Sequence, residues 1–267
     1  MLVVATTPDD VERARRRLLA AGVTDVEVVA PGSQRRLLLA GVADPHDAHR
    51  LAAELQAEGG IAVVRPDGGA QLTAWSRDTE PVMIGERLGI CVAWSEHPRR
   101  RIEHLIELGP GGFGNGAHPT TRMLLDALLR RLRGRERVLD VGCGSGVLGL
   151  AALAVGAGHV TAMDLKPSAV EATRRNAAIN GLADRVDATT TPVDQLAGPF
   201  DVIVANVGRA VVVDIAGTLV GHLSPAGWLA VSGITPGQVD QIAEFLGQLR
   251  VVERHLVGEW ATAVLTR

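Results

Sequence analysis

Residues Val138-Leu139-Asp140-Val141-Gly142-Cys143-Gly144-Ser145-Gly146 join an apolar run, an acid and three alternating glycines, and the apolar helical stretch of Val147, Leu148, Leu150 and Ala151 follows. Glycine is needed where a backbone must turn with positive φ or let a ligand approach without a Cβ in the way. The spacing separates possible ligands. A dinucleotide site reads G-x-G-x-x-G, with the pyrophosphate over a helix N-terminus. Here the glycines fall as G-x-G-x-G, and Asp140 stands two residues before the first of them. A carboxylate there suits a cation better than a pyrophosphate. S-adenosylmethionine carries both an ammonium and a sulfonium, so Asp140, Gly142, Cys143, Gly144 and Gly146 are expected to line a site for it. A dinucleotide site, or a tight strand–helix turn with no ligand, remains as an alternative.

Three more segments carry candidate chemistry. Asp164 ends the next apolar run, Val160-Thr161-Ala162-Met163. An acid at the end of the second strand can accept both ribose hydroxyls, as does the acid about 20 residues past a dinucleotide fingerprint. It can equally cap the helix that Lys166-Pro167 opens, and the two roles are compatible. The loop Phe113-Gly114-Asn115-Gly116-Ala117-His118-Pro119-Thr120-Thr121 precedes a helix. Thr120 and Thr121 can cap that helix and meet a ligand. His118 either fixes a neighbouring loop or accepts a proton from an amine. Finally, Val202-Ile203-Val204-Ala205 ends in Asn206. An amide at the carboxyl edge of a central strand faces the crevice where open α/β sheets bind ligands. Its carbonyl could aim an amine at a sulfonium methyl, or it could merely satisfy turn backbone. No Cys/His set has metal-ligand spacing, and no Gly-x-Ser-x-Gly or Walker-type loop occurs.

From residue 120 onward apolar runs and helical stretches alternate, which predicts a parallel, doubly wound α/β sheet. Strands are expected at 137–141, 159–164, 185–188, 200–206, 227–232, 251–257 and 261–265, with helices at 167–180 and 236–249. The first 66 residues read as strand, helix, strand, strand, helix, strand. This predicts a smaller ferredoxin-like α+β domain. Thr7 and Pro8 start its first helix, with Val11, Ala14 and Leu18 on one face; a turn at 31–33 divides strands at 26–29 and 36–39. Asp44-Pro45 starts the second helix, whose stripe is Ala48, Leu51, Ala52 and Leu55. It stops at 59–60, before a strand at 61–64 and a break at 66–69. Residues 67–102 form a bridge, with strands near 89–94 and 102–108, and 103–267 the catalytic domain.

The bulk numbers narrow the function classes. In 267 residues, 46% are hydrophobic and 21% charged, enough to bury a real core, yet aromatics are only 3% with no tyrosine. The core must therefore be built from Ala, Val, Leu and Ile. A net charge of −3 argues against a general nucleic-acid binder. The arginine runs (13 and 15–17, 35–36, 99–101) read as solvated faces, or as a surface for ribosomal RNA or an acidic partner. Of two cysteines, Cys143 sits in the glycine loop, so a structural disulfide is not expected and a reducing cytoplasm is. The N-terminus lacks the order of a signal peptide, and no apolar run approaches the roughly 20 residues that span a membrane. A soluble cytoplasmic protein is expected.

Taken together, the loop 113–121, the stretch 140–146, Asp164, Asn176 with Asn180-Gly181, Asn206, and residues 229–234 resemble the PrmA family, which methylates ribosomal protein L11. The resemblance is specific over about 120 residues and covers nearly the whole chain in layout. It implies a class I methyltransferase core of seven strands, using S-adenosyl-L-methionine, with the N-terminal domain presenting a protein substrate. It also implies that Thr120, Thr121, Gly142, Gly144, Asp164 and Asn206 line the cofactor site. The chain departs from the family at Asn115 and Ala117, where Thr is common, and at Val207-Gly208-Arg209, where an aliphatic and small run is usual. Arg209 adds a charge near the acceptor, or a hook for a carboxylate. The leading reading is methyl transfer to a lysine or α-amino nitrogen of a ribosomal protein. The rivals are a small-amine N-methyltransferase on the same scaffold and a ribosome-associated binding module without catalysis.

Overall fold

A computed structural model describes residues 2–6, 8–29, 36–57, 61–64, 81–93, 102–109, 114 and 116–267. The expected cap at Thr7, the turn at 31–33, the stop at 59–60, the break at 66–69, Arg35, the arginines at 99–101, Phe113 and Asn115 lie outside the described residues. The chain divides into two compact units, one of residues 1–81 with 91–99 and 109–111, the other of 82–90, 100–108 and 112–267.

In the first unit the order is β1 (Leu2–Thr6), α1 (Val11–Ala20), β2 (Val26–Val29), β3 (Arg36–Ala40), α2 (Pro45–Ala57) and β4 (Ile61–Val64). The strands pair antiparallel in the order β2-β3-β1-β4, which is the order of a split βαβ unit. Leu18 from α1 and Leu51, Ala52 and Leu55 from α2 pack with Leu2, Val4 and Leu38 of the sheet. The Asp44 carboxylate accepts the His46 N–H at 2.7 Å, supporting the helix start that Pro45 pre-sets.

Next along the chain is a three-stranded sheet of β5 (Val82–Ile84), β6 (Leu88–Val92) and β7 (His104–Leu108), of which all but Cys91 and Val92 fall in the second unit. Of the expected bridge at 67–102, residues 82–90 and 100–102 thus group with the larger unit and the rest with the smaller one. A three-residue strand such as β5 has too short a period to be seen in sequence. Beyond it lies a seven-stranded sheet: β8 (Arg137–Val141), β9 (His159–Met163), β10 (Val186–Thr189), β11 (Phe200–Asn206), β12 (Leu223–Ile234), β13 (Arg250–Val257) and β14 (Trp260–Thr266). Its order is β10-β9-β8-β11-β12-β14-β13, parallel except for the antiparallel β14 and β13 pairings. The helices are α3 (Pro119–Arg131), α4 (Val147–Ala154), α5 (Pro167–Ile179), α6 (Arg209–Asp214), α7 (Ala216–His222) and α8 (Val239–Phe245). The helix expected at 236–249 is shorter: a 3-10 turn at Pro236–Gln238 with a Thr235/Gln238 capping box leads into α8, which ends before Gly247.

The near-continuous apolar strands are explained by burial on both faces. Alternation sends Val138, Val160, Val202 and Val204 to one core with α3 and α4, and Leu139, Val141, Ile203 and Ala205 to another with α6–α8. Asp140 has the parity of Val138 and so faces α4. The far end of α3 is fastened to β13 by Arg130 and Arg131, both paired with Glu253.

Register fixes the site. Val141 pairs with Met163 on one side and Ala205 on the other, Met163 with Thr189, and Asn206 with Ser232. The carboxyl ends of β9, β8, β11 and β12 therefore lie level, at the point where the strand order reverses between β8 and β11. Open α/β sheets bind ligands at this place.

Candidate active site

The glycine bend at the end of β8 is built by backbone constraints. Gly142, Gly144 and Gly146 have φ of 72°, 57° and 79°, a region that penalises any side chain. Gly142 and Cys143 donate to the Met163 carbonyl at 2.8 and 3.0 Å, tying the bend to the end of β9. A Cβ on Gly142 would lie 2.6 Å from Val207 Cγ1, so the bend also closes against the residue that follows Asn206. On Gly146 a Cβ would meet the Thr173 side chain at 2.8 Å.

Two carboxylates hold this bend. Asp164, at the end of β9, accepts the Gly144 N–H on Oδ2 at 3.1 Å and the Lys166 N–H on Oδ1 at 2.9 Å. It thus braces the turn before α5 and the bend at once, without a cap bond to the helix's own N–H groups, and each oxygen keeps a second lone pair. Asp140 is 1% exposed beneath the bend. Its Oδ2 accepts the Gly149 N–H of α4 at 3.0 Å, and its Oδ1 is buried without a hydrogen-bond partner. Burial pushes the Asp140 carboxyl up to about 7; the Gly149 hydrogen bond opposes this and the nearby Asp164 charge adds to it.

Cys143, expected to line the cofactor site, turns its thiol into the core. It is 6% exposed and accepts from Thr173 Oγ1 at 3.3 Å. Burial first, then the Asp140 charge, push its pKa up to about 12, which keeps it a thiol. Only its backbone belongs to the bend.

A second cluster adjoins at the end of β11. The Asn206 amide Nδ2 donates to Thr121 Oγ1 at 3.1 Å, joining β11 to the start of α3. With its nitrogen so engaged, the amide has its carbonyl left as the acceptor. Thr120 and Thr121 are both buried. His118 is the N-cap of α3: its Nδ1 accepts the Thr120 N–H at 3.4 Å and lies 2.8 Å from Thr120 Oγ1. Its ring packs edge-on against Trp260, with centroids 5.1 Å apart. An Nδ1 that accepts puts the proton of the neutral ring on Nε2, which can then only donate. The structural role of His118 is therefore favoured over its reading as an amine base.

Several supports were not legible as such. Ser145, 2% exposed, donates to the Gly114 carbonyl at 2.6 Å and holds the loop before α3 against the bend. Asn176 Nδ2 donates to the Ser145 carbonyl at 2.8 Å. Asn180 brackets Glu107 of β7, accepting its N–H at 2.9 Å and donating to its carbonyl at 2.7 Å. These bonds give the two asparagines singled out by resemblance a physical role. Leu165, beside Asp164, is 72% exposed, an apolar side chain at the site's rim between two charged residues.

A seven-stranded sheet of this order, with an acid-flanked glycine bend at its reversal point, defines a class I S-adenosylmethionine-dependent methyltransferase. Residues 69–267 match the family described as ribosomal protein L11 methyltransferase (PrmA). A ribosomal protein L11 methyltransferase of Geobacter sp. (strain M21) is 40% identical over 208 residues, covering 75% of this chain and 67% of that one. One from Dechloromonas aromatica is 44% identical over 170 residues, 63% of this chain and 56% of the relative. The crystal structure of a ribosomal protein L11 methylase from Lactobacillus delbrueckii subsp. bulgaricus aligns with a TM-score of 0.65 at 30% identity, covering 70% of this chain and 98% of that one. The matched stretch spans about two thirds or less of the length of these curated relatives. The chain belongs to the PrmA family of ribosomal protein L11 methyltransferases.

Proposed function

We propose that the chain transfers methyl groups from S-adenosylmethionine to an amine nitrogen of ribosomal protein L11. The observation that carries the cofactor assignment is the unpartnered Asp140 Oδ1 under the glycine bend, in a carboxyl that burial has raised to about 7, with Asp164 adding its charge from the same bend. A cation over the bend offsets the negative charge held there by Asp164 and by the part-ionised Asp140. A pyrophosphate would add to it. The residues present thus fit a sulfonium nucleoside and disfavour a dinucleotide.

Asp164, at the end of β9, has lone pairs left for both ribose hydroxyls, and the exposed Leu165 offers an apolar face to the base. The bend at 142–146 takes the amino-acid portion, with Thr120, Thr121 and Asn206 closing the far side. When bound, the cofactor supplies an activated methyl on a positively charged sulfur. The chain's own part is positioning: Asn206, steadied by Thr121, accepts a hydrogen bond from the acceptor amine and so aims its lone pair. Holding two reactants in line is itself a large share of catalysis for a displacement of this kind. The acceptor must arrive neutral, although a free lysine amine has a pKa of about 10.4. Asn206 orients such an amine without taking its proton, which passes to water.

In this reading the N-terminal ferredoxin-like domain expected at residues 1–66 presents the protein substrate. Among the described residues no helix is long and apolar enough to cross a membrane, and no group of His, Cys, Asp and Glu could hold a metal ion. A ribosomal substrate assigns the work to the cytoplasm. The test is to incubate the chain with S-adenosylmethionine and purified L11 and weigh the product. L11 is expected to gain a whole number of methyl masses. Unmodified L11, with label appearing only in small amines of a cell extract, overturns the substrate.

A further inference from the structure

Among the described residues, Arg209 is the one arginine that is partly buried while its side chain has neither a hydrogen bond nor an ion pair. The other partly buried arginines of its unit are engaged: Arg131 with Glu253, Arg175 with Glu171, and Arg185 with the carbonyls of Ala157 and Gly158. A partly buried guanidinium gives up hydration, and its planar fork of donors is matched by a carboxylate.

Its place narrows the ligand. Arg209 stands three residues past Asn206, beyond Gly208, where a Cβ would meet nothing within 4 Å. In the sheet order β9-β8-β11, Asp164 marks one side of the bend and Arg209 the other. The sole lysine of the chain, Lys166, lies on the Asp164 side and is exposed. The side away from the nucleoside therefore has one arginine without a partner, next to the amide that orients the acceptor.

We propose that Arg209 binds a carboxylate at the methyl-transfer end of the crevice. The inference rests on the methyltransferase reading of the same site. Two sources share this chemistry: the amino-acid end of the cofactor, and an acidic group near the acceptor amine. Calorimetry on the full chain with S-adenosylhomocysteine and with 5′-methylthioadenosine, which lacks the amino-acid carboxylate, distinguishes them when combined with the KM for L11.

If the carboxylate is the cofactor's, R209A weakens S-adenosylhomocysteine by roughly 10- to 100-fold, the usual worth of a charge-assisted pair, and leaves methylthioadenosine unchanged. If it is the acceptor's, both nucleosides bind R209A as they bind the parent, while KM for L11 rises by a similar factor with kcat retained. In either case R209K keeps part of the effect, because it keeps the charge. The proposal is overturned if R209A leaves both nucleosides and KM unchanged, or if it weakens both nucleosides equally. Failure of the unsubstituted chain to bind S-adenosylhomocysteine removes the underlying reading, and the proposal with it.

Discussion

Replacing Asp140 by asparagine should stabilise the protein at high pH while weakening its hold on the cofactor. The carboxyl is 1% exposed, has an unpartnered Oδ1, and is raised by burial to about 7. In the unfolded chain it titrates at about 4. The folded state thus keeps the proton at pH values where the unfolded chain has lost it. The stability from this group is fully present below about pH 4 and is lost as pH rises through about 7. Ionising it in place costs roughly 4 kcal/mol, at about 1.4 kcal/mol per pH unit. The amide introduced in D140N would keep an oxygen for the Gly149 N–H and would mimic the protonated acid at every pH. The stability of D140N relative to the parent is therefore expected to grow by roughly 3 kcal/mol between about pH 5 and about pH 9. Urea unfolding at several pH values reads this directly, and calorimetry should show weaker S-adenosylmethionine binding. A gap that stays constant with pH, or that shifts against the variant as pH rises, refutes the reasoning.

Three further outcomes follow from the geometry. G142A combines a φ of 72° with a Cβ 2.6 Å from Val207 Cγ1, and should lose about 2 to 4 kcal/mol in thermal unfolding. Adding V207A should recover the steric part but leave the backbone part. N206A should lower kcat by about 100-fold with little change in S-adenosylhomocysteine affinity by calorimetry, because the amide positions the acceptor; an equal loss of both would assign Asn206 to cofactor binding alone. N180A strips two hydrogen bonds from the Glu107 backbone and should cost about 2 to 3 kcal/mol, read as a lower melting temperature.

Much of this site is legible before any coordinates, for a physical reason. Positive-φ turns demand glycine, and buried strands demand apolar runs, so β8, the bend and β11 announce themselves locally. Asp164 is readable both as a ribose acceptor and as a cap of α5; its two oxygens serve the bend and the Lys166 N–H just before α5, and no side chain caps that helix. What local pattern could not supply is contact between distant segments. The Trp260 ring against His118, the Asn180 bracket on Glu107 and the Ser145 bond to Gly114 join residues far apart in sequence. The inward course of the Cys143 thiol and the partnerless Arg209 are likewise visible only once the core is packed. Strand parity could have given the inward face of Asp140, since it matches Val138.

A crystal structure of the full chain with S-adenosylhomocysteine bears most directly on the acid-flanked bend as a sulfonium nucleoside site. The ribose hydroxyls should meet the Asp164 carboxylate, with the amino-acid end over residues 142–146 and the sulfur turned toward Asn206. A nucleoside lodged elsewhere in the molecule, or reversed so that its base lies at Asn206, would contradict it.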